Sequence, residues 1–192
     1  MKKIGLIVFV VISGIFLSGC GYNKMVDMEE QVASQWSQVE NVYQRRADLI
    51  PNLVNTVKGY AEHEQETLNS VIEARSKATS VNVNPENLNP QQIEQFNQAQ
   101  QGLSSALSRL MVVVERYPDL KANQNFRDLQ AQLESTENRI AVERRRFNEV
   151  TQTYNAYIRK FPQTIYSGWF GFEKKDYFEA EQGAEQAPEV QF

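Results

Sequence analysis

Six large apolar residues recur at intervals of seven in the second half of the chain: Phe126, Leu133, Ile140, Phe147, Tyr154 and Phe161. Leu129, Val150 and Tyr157 form a companion row three residues further on. Such spacing keeps side chains on one stripe of an α-helix and matches the seam along which long helices wind together. A strand would need alternation of apolar and polar residues instead. The stripe predicts a helix over about 120–161, stopped by Pro162, and it requires partner helices to cover it.

Those partners are legible upstream. Met25, Val32 and Val39 fall at sevens, with Trp36, Tyr43 and Ile50 as a second row, so 25–50 reads as a helix. Pro51 suits the first turn of a helix better than its interior. We therefore expect a sharp turn at Asp48–Pro51 and a second helix over 51–78, with Leu53, Val54, Val57, Tyr60, Ala61, Leu68, Val71 and Ile72 as its apolar row. Residues 79–92 hold two prolines and four asparagines and read as a loop. A third helix is expected over 91–115, carrying Ile93, Phe96, Leu103, Leu107, Leu110 and Val114 on one face and stopped at Tyr117-Pro118. Asp119 or Asn123 can cap the fourth. Four amphipathic helices with short connections predict an all-α, antiparallel up-and-down four-helix bundle. Residues 163–192 read as an aromatic stretch followed by an acidic tail, partly disordered.

The N-terminus has a different character. Lys2 and Lys3 precede an uncharged apolar run, Ile4 to Leu17, and then Ser18, Gly19 and Cys20, the chain's only cysteine. These are the parts of an export signal. The run is shorter than the ~20 residues that a membrane span needs. The tetrad Leu17-Ser18-Gly19-Cys20 resembles the lipobox of bacterial lipoproteins, in which the cysteine is lipidated and the preceding residues are removed. That assigns 1–19 to a signal peptide, Cys20 to lipidation and 20–24 to a short linker. It leaves no thiol for a disulfide or a metal. Losing Lys2 and Lys3 takes the formal net charge from −4 to −6, which excludes the basic balance typical of nucleic-acid binders.

The stretch Gln44-Arg45-Arg46-Ala47-Asp48-Leu49-Ile50-Pro51-Asn52-Leu53-Val54, running on to Val57-Lys58-Gly59-Tyr60-Ala61, resembles the LemA family signature. So do Glu115 to Ala122, Thr136 to Ala141 and Tyr154 to Ile158. The resemblance implies a bacterial envelope protein with a small N-terminal anchor and a long-helix bundle. It implies neither a reaction nor catalytic residues. Family members often keep a transmembrane anchor, and the lipobox departs from that pattern.

With turns at Pro51 and Pro118, Arg45, Arg46, Asp48, Asn52, Tyr117, Asp119 and Lys121 would gather at one membrane-distal end, as a docking tip or as the caps and braces of two turns. The fourth helix would overshoot its partners toward the lipid, bringing Arg144, Arg145, Arg159, Lys160 and Trp169 to the membrane unless the aromatics fold back onto the bundle. Counting down antiparallel helices sets Arg75 level with Glu143. His63 with Glu64 and Glu143, and with Glu62 and Glu66 beside it, is the candidate material for a metal site, and one histidine is too few for a usual zinc site. There is no Gly-rich phosphate loop, Gly-x-Ser-x-Gly or His-Glu-x-x-His. No catalytic residues, metal or cofactors are assigned. The expected function is that of a non-enzymatic envelope scaffold or adaptor. Its partners would be the membrane, through Cys20, and an envelope protein; nucleic acid is excluded and self-association is left open. The alternatives are a lipid-interacting, membrane-shaping protein and, more remotely, a metal-dependent enzyme.

Overall fold

The computed structural model describes residues 2–85 and 88–178, with side chains from Gly21 onward. The expectations for the signal segment and the Cys20 side chain, and for the tail beyond Phe178, lie outside the described residues. Among the described residues six helices follow one another: α1 (Lys2–Lys58), α2 (Gln65–Ser80), α3 (Pro90–Val114), α4 (Pro118–Ala122), α5 (Gln124–Ile158) and α6 (Gln163–Phe170). Among the described residues there is no strand, and no helix is long and apolar enough to cross a membrane.

The turn expected at Pro51 does not form. α1 continues through Pro51 to Lys58 and reverses at Gly59–Glu64. The apolar stripe explains why. Ile50, Leu53, Val54 and Val57 continue the face of Val39, Tyr43 and Ala47, and all are buried. An interior proline costs about 3 kcal/mol, whereas fully burying aliphatic side chains returns about 2 kcal/mol each. Three such residues outweigh one proline, whose ring faces solvent. The second helix is correspondingly short, with Leu68, Val71 and Ala78 buried, while Tyr60 and Ile72 from the expected row are exposed.

The third helix matches its expected span and buries every residue of its predicted face. Asn89 caps it by accepting a bond from the Gln91 amide at 2.9 Å. Asn123 caps α5 by accepting from the Phe126 amide at 3.1 Å. The heptad stripe is buried from Phe126 to Tyr154, but α5 ends at Ile158 and Phe161 is 81% exposed.

α1 and α5 run antiparallel, as Tyr60–Asn123, Arg46–Glu137 and Gln35–Glu143 contacts show from tip to base. Here the tip is the end holding residues 59–64 and 115–123, and the base is the end at Gly21–Met25. At the base α5 runs past α2 and α3, as expected, while α1 runs past α5. α1 packs on both α5 and α2, and α2 packs on α3, while a groove runs between α3 and α5. The bundle is therefore open along one side.

The core falls into two clusters. Toward the tip it is aliphatic, with Ile50, Leu53, Val57, Leu103, Leu110 and Leu120. Toward the base it is aromatic, with Trp36, Tyr43, Phe96, Phe147, Tyr154 and Phe178. Arg46 lies at the boundary.

Candidate functional site: a polar groove between α3 and α5

The heptad-like face of α1 would put an apolar residue one turn after Tyr43, and it holds Arg46 there instead. Arg46 is fully buried and bridges three helices. Its Nη1 donates to Ser104 Oγ (3.0 Å) on α3 and to Glu137 Oε1 (2.6 Å) on α5. Its Nη2 donates to Gln100 Oε1 at 2.6 Å, and the guanidinium lies over the Tyr43 ring at 5.1 Å. Gln100, also buried, turns its Nε2 to the Ala78 carbonyl (3.2 Å) in the last turn of α2, one of the four carbonyls that a helix end leaves free. One arginine and one glutamine thus tie all four long helices at a single level.

Above this knot is a groove of about 790 Å³, open to solvent between α3 and α5. Tyr43, Arg46, Leu107, Leu133 and Ile140 floor it, and Asn97, Gln101, Ser105 and Ser108 of α3 face Gln130, Glu134 and Asn138 of α5 across it. Its lining contains no histidine or cysteine. Amides and hydroxyls can donate and accept at once, which suits them to a peptide backbone.

Beyond the base end of this groove, α1 and α5 carry another segment of the chain. After α6 the chain turns at Gly171, in the left-handed region (φ 76°), and runs back along α5 as an extended strap. Asn155 donates to the Lys175 carbonyl (2.8 Å) and accepts from its amide (3.0 Å). Asn148 does the same for Phe178, at 3.0 and 2.8 Å. The spacing is commensurate: three extended residues and seven helical residues both cover about 10 Å. Phe178 stacks on Trp36 (5.4 Å) and meets Phe147 of α5, while Trp36 meets Phe96 of α3. Lys175 pairs with Glu29 at 2.7 Å. The Arg144 guanidinium lies over the Phe178 ring and also lines the groove, so strap and groove are continuous.

The residues expected to share one docking tip are split. Tyr117, Asp119 and Lys121 are at the tip, where Tyr117 donates to Glu64 (3.1 Å), Arg116 pairs with Glu64 (2.9 Å) and Lys121 pairs with Glu115. Arg45, Arg46, Asp48 and Asn52 sit lower on α1, because the helix does not turn at Pro51. Arg45 and Asn52 are exposed, and Asp48 accepts from Gln44 at 2.9 Å.

The expected Arg75–Glu143 pair does not form. Arg75 donates to the Ala47 carbonyl, and Glu143 binds Gln35 (2.7 Å) and Arg146 (3.0 Å). Glu64 at the tip and Glu143 in the basal half are several turns apart, so with His63 they form no common site. Among the described residues no group of three metal-ligating side chains converges. Arg144 and Arg145 lie midway along the bundle rather than at its base, because α5 continues beyond them to Ile158. Arg159, Lys160 and Trp169 are at the base and exposed.

Gln100, Asn97, Gln101, Asn148 and Asn155 were not singled out from sequence, whereas Phe178 is one of the C-terminal aromatics and does fold back onto the bundle. Gln100 left a trace there: it interrupts the apolar face formed by Ile93, Phe96, Leu103 and Leu107.

The LemA family model matches residues 35–192, which include the knot, both walls of the groove and the strap. The chain belongs to the LemA family. Relatives of this LemA family member include the magnetosome protein MamQ of Magnetospirillum gryphiswaldense, 29% identical over 176 residues that cover 82% of this chain and 64% of the relative. The magnetosome protein MamQ 2 of Paramagnetospirillum magneticum is 28% identical with the same coverage. Protein LemA of Metamycoplasma hominis is 22% identical over 72% of this chain and 60% of its own length. This LemA family chain thus spans less than two thirds of these relatives.

Proposed function

We propose that this chain is a non-enzymatic scaffold or adaptor of the bacterial cell envelope, held to the membrane through a lipidated Cys20. Its docking slot is the α3–α5 groove, and the occupant is an extended segment of an envelope protein. The observation that carries this reading is the strap. An extended segment already lies along α5 next to the base end of the groove, gripped through its backbone by Asn148 and Asn155 and anchored by one aromatic side chain. The groove continues that seat with more side-chain amides and an apolar floor. Backbone capture by fixed polar groups, with pockets for alternate side chains, is a recurrent way of binding peptides.

Photo-crosslinkers placed at Gln101 and Glu134 in intact cells test the proposal, with Glu73 on the opposite face as control. A discrete envelope protein captured from the two groove positions and not from the control is the expected result. Identical capture from all three positions would overturn it. Mass spectrometry of the mature N-terminus tests the anchor: a diacylated Cys20 is expected, and a chain that retains residues 1–19 would exclude it.

A further inference from the structure

Twelve consecutive residues, Phe161 to Phe172, carry no charge, in a chain in which 23% of residues are charged. They form the cap of the base and include α6. Within them Phe161 is 81% exposed, Trp169 75% and Phe170 57%, and Ile165 is also exposed. Phe161, Ile165 and Trp169 follow one another at intervals of four, and Ile165 and Trp169 share one face of α6. Of the ten exposed large apolar side chains among the described residues, five (these four with Tyr22) lie at the base. Single exposed apolar residues are ordinary, but a gathering at one end marks an interaction surface.

What covers this surface follows from its surroundings. Tyr22 of α1 packs edge-on against Phe170 (4.9 Å) and Phe172 (5.7 Å). It therefore ties the patch to the helix whose upstream residues, Ile4 to Leu17, are the uncharged apolar run. Exposed Arg159 and Lys160 precede the uncharged stretch, and exposed Glu173 and Lys174 follow it, so the basic flank is the N-terminal one. Aromatic side chains preceded by two bases, beside the Cys20 anchor proposed above, have the composition of a headgroup-level membrane contact. We propose that the α6 cap is an interfacial foot that rests on a phospholipid bilayer, with Phe161, Ile165, Trp169 and Phe170 inserted at the headgroup boundary and Arg159 and Lys160 against anionic lipid. The foot fixes how the bundle stands: the tip points away from the surface and the α3–α5 groove runs along the membrane normal. This holds whether or not the groove docks a partner, because it uses none of the groove residues.

The test uses the full chain in vesicles of phosphatidylcholine and phosphatidylglycerol and follows the emission of Trp169. Trp36, the only other tryptophan, is buried, and Trp169→Phe isolates its contribution for subtraction. The Trp169 component is expected to shift to the blue, to lose quenching by aqueous iodide and to gain quenching by lipids brominated near the headgroup. Arg159→Gln with Lys160→Gln is expected to reduce the bromolipid quenching in anionic vesicles. Trp169 emission that stays red and iodide-accessible in vesicles would overturn the proposal. Shielding from iodide without bromolipid quenching would also overturn it, in favour of a second copy of the chain as the cover.

Discussion

The Arg75 side chain on α2 donates its Nε hydrogen to the Ala47 carbonyl of α1 at 2.8 Å. Ala47 lies four residues before Pro51, so its carbonyl is the one that loses its helical donor to the proline ring. The arginine restores a hydrogen bond to a buried residue and lets α1 pass through Pro51 unbroken. Arg75→Met is expected to destabilise the bundle by about 1–3 kcal/mol, the usual range for leaving a buried acceptor unmade. Pro51→Ala returns the missing amide donor. The loss from Arg75→Met should therefore shrink in a Pro51→Ala background. Denaturant unfolding of the two single variants and the double variant measures the coupling; simple additivity would show that Arg75 does not serve the proline-freed carbonyl.

Arg46 and Gln100 carry the level at which the two core clusters meet, and their partners differ in exposure. The Glu137 carboxylate is 48% exposed and Arg46 only 2%. Glu137→Gln is expected to cost less than about 1 kcal/mol, because a half-solvated partner is readily replaced by water. Gln100→Leu leaves Arg46 Nη2 with only the longer bond to the Gln100 carbonyl (3.3 Å) and strands the Ala78 carbonyl inside the bundle, and it should cost about 1–3 kcal/mol. Urea unfolding of both variants checks the order; a larger loss for Glu137→Gln would show that the ion pair, not the amide, holds the knot.

The stripes of α1, α3 and α5 were legible because period alone decides which side chains a helix buries. The path of the chain at Pro51 was not. A local rule about proline lost to a stripe that continues beyond it and to a donor, Arg75, that is 28 residues away. That one misplaced turn moved the predicted tip from Pro51 to Gly59–Glu64 and separated Arg46 and Asp48 from Tyr117 and Lys121. The groove escaped notice for a related reason. It exists because α3 and α5 do not close, and periodicity says nothing about which pair of helices stays apart. Gln100 inside an apolar face, and Asn148 and Asn155 one position after Phe147 and Tyr154, were visible as exceptions to the pattern. Their meaning required the strap that they hold.

The strap predicts a local unfolding unit. Asn148→Ala with Asn155→Ala removes four backbone hydrogen bonds to residues 175 and 178. The amides of Lys175 and Phe178 should then lose hydrogen-exchange protection while the Leu103 and Leu110 amides in α3 keep theirs. Phe178→Ala removes a buried aromatic that stacks on Trp36, and a loss of about 3–5 kcal/mol is expected for such a truncation. Unchanged exchange at 175 and 178 in the double asparagine variant would show that packing alone holds the strap.

Tyr154 sets the alkaline limit of the aromatic cluster. It is fully buried, and burial pushes its phenol well above the ordinary range, with the Glu29 carboxylate nearby adding to the shift. A tyrosine with a raised folded pKa contributes stability that is complete below the unfolded value of about 10 and is lost as pH rises above it, because the unfolded chain then releases a proton that the folded chain retains. Tyr117 is shifted in the same direction, by burial and by Glu64, so it adds a smaller decline of the same sign. The denaturation midpoint of the wild type is expected to be flat from pH 7 to about 9 and to fall steeply above about 10. Tyr154→Phe should flatten most of that fall, while Tyr117→Phe should flatten little. Midpoints measured across this range for the three proteins decide the matter, and an equal alkaline slope in wild type and Tyr154→Phe would place the titrating group elsewhere.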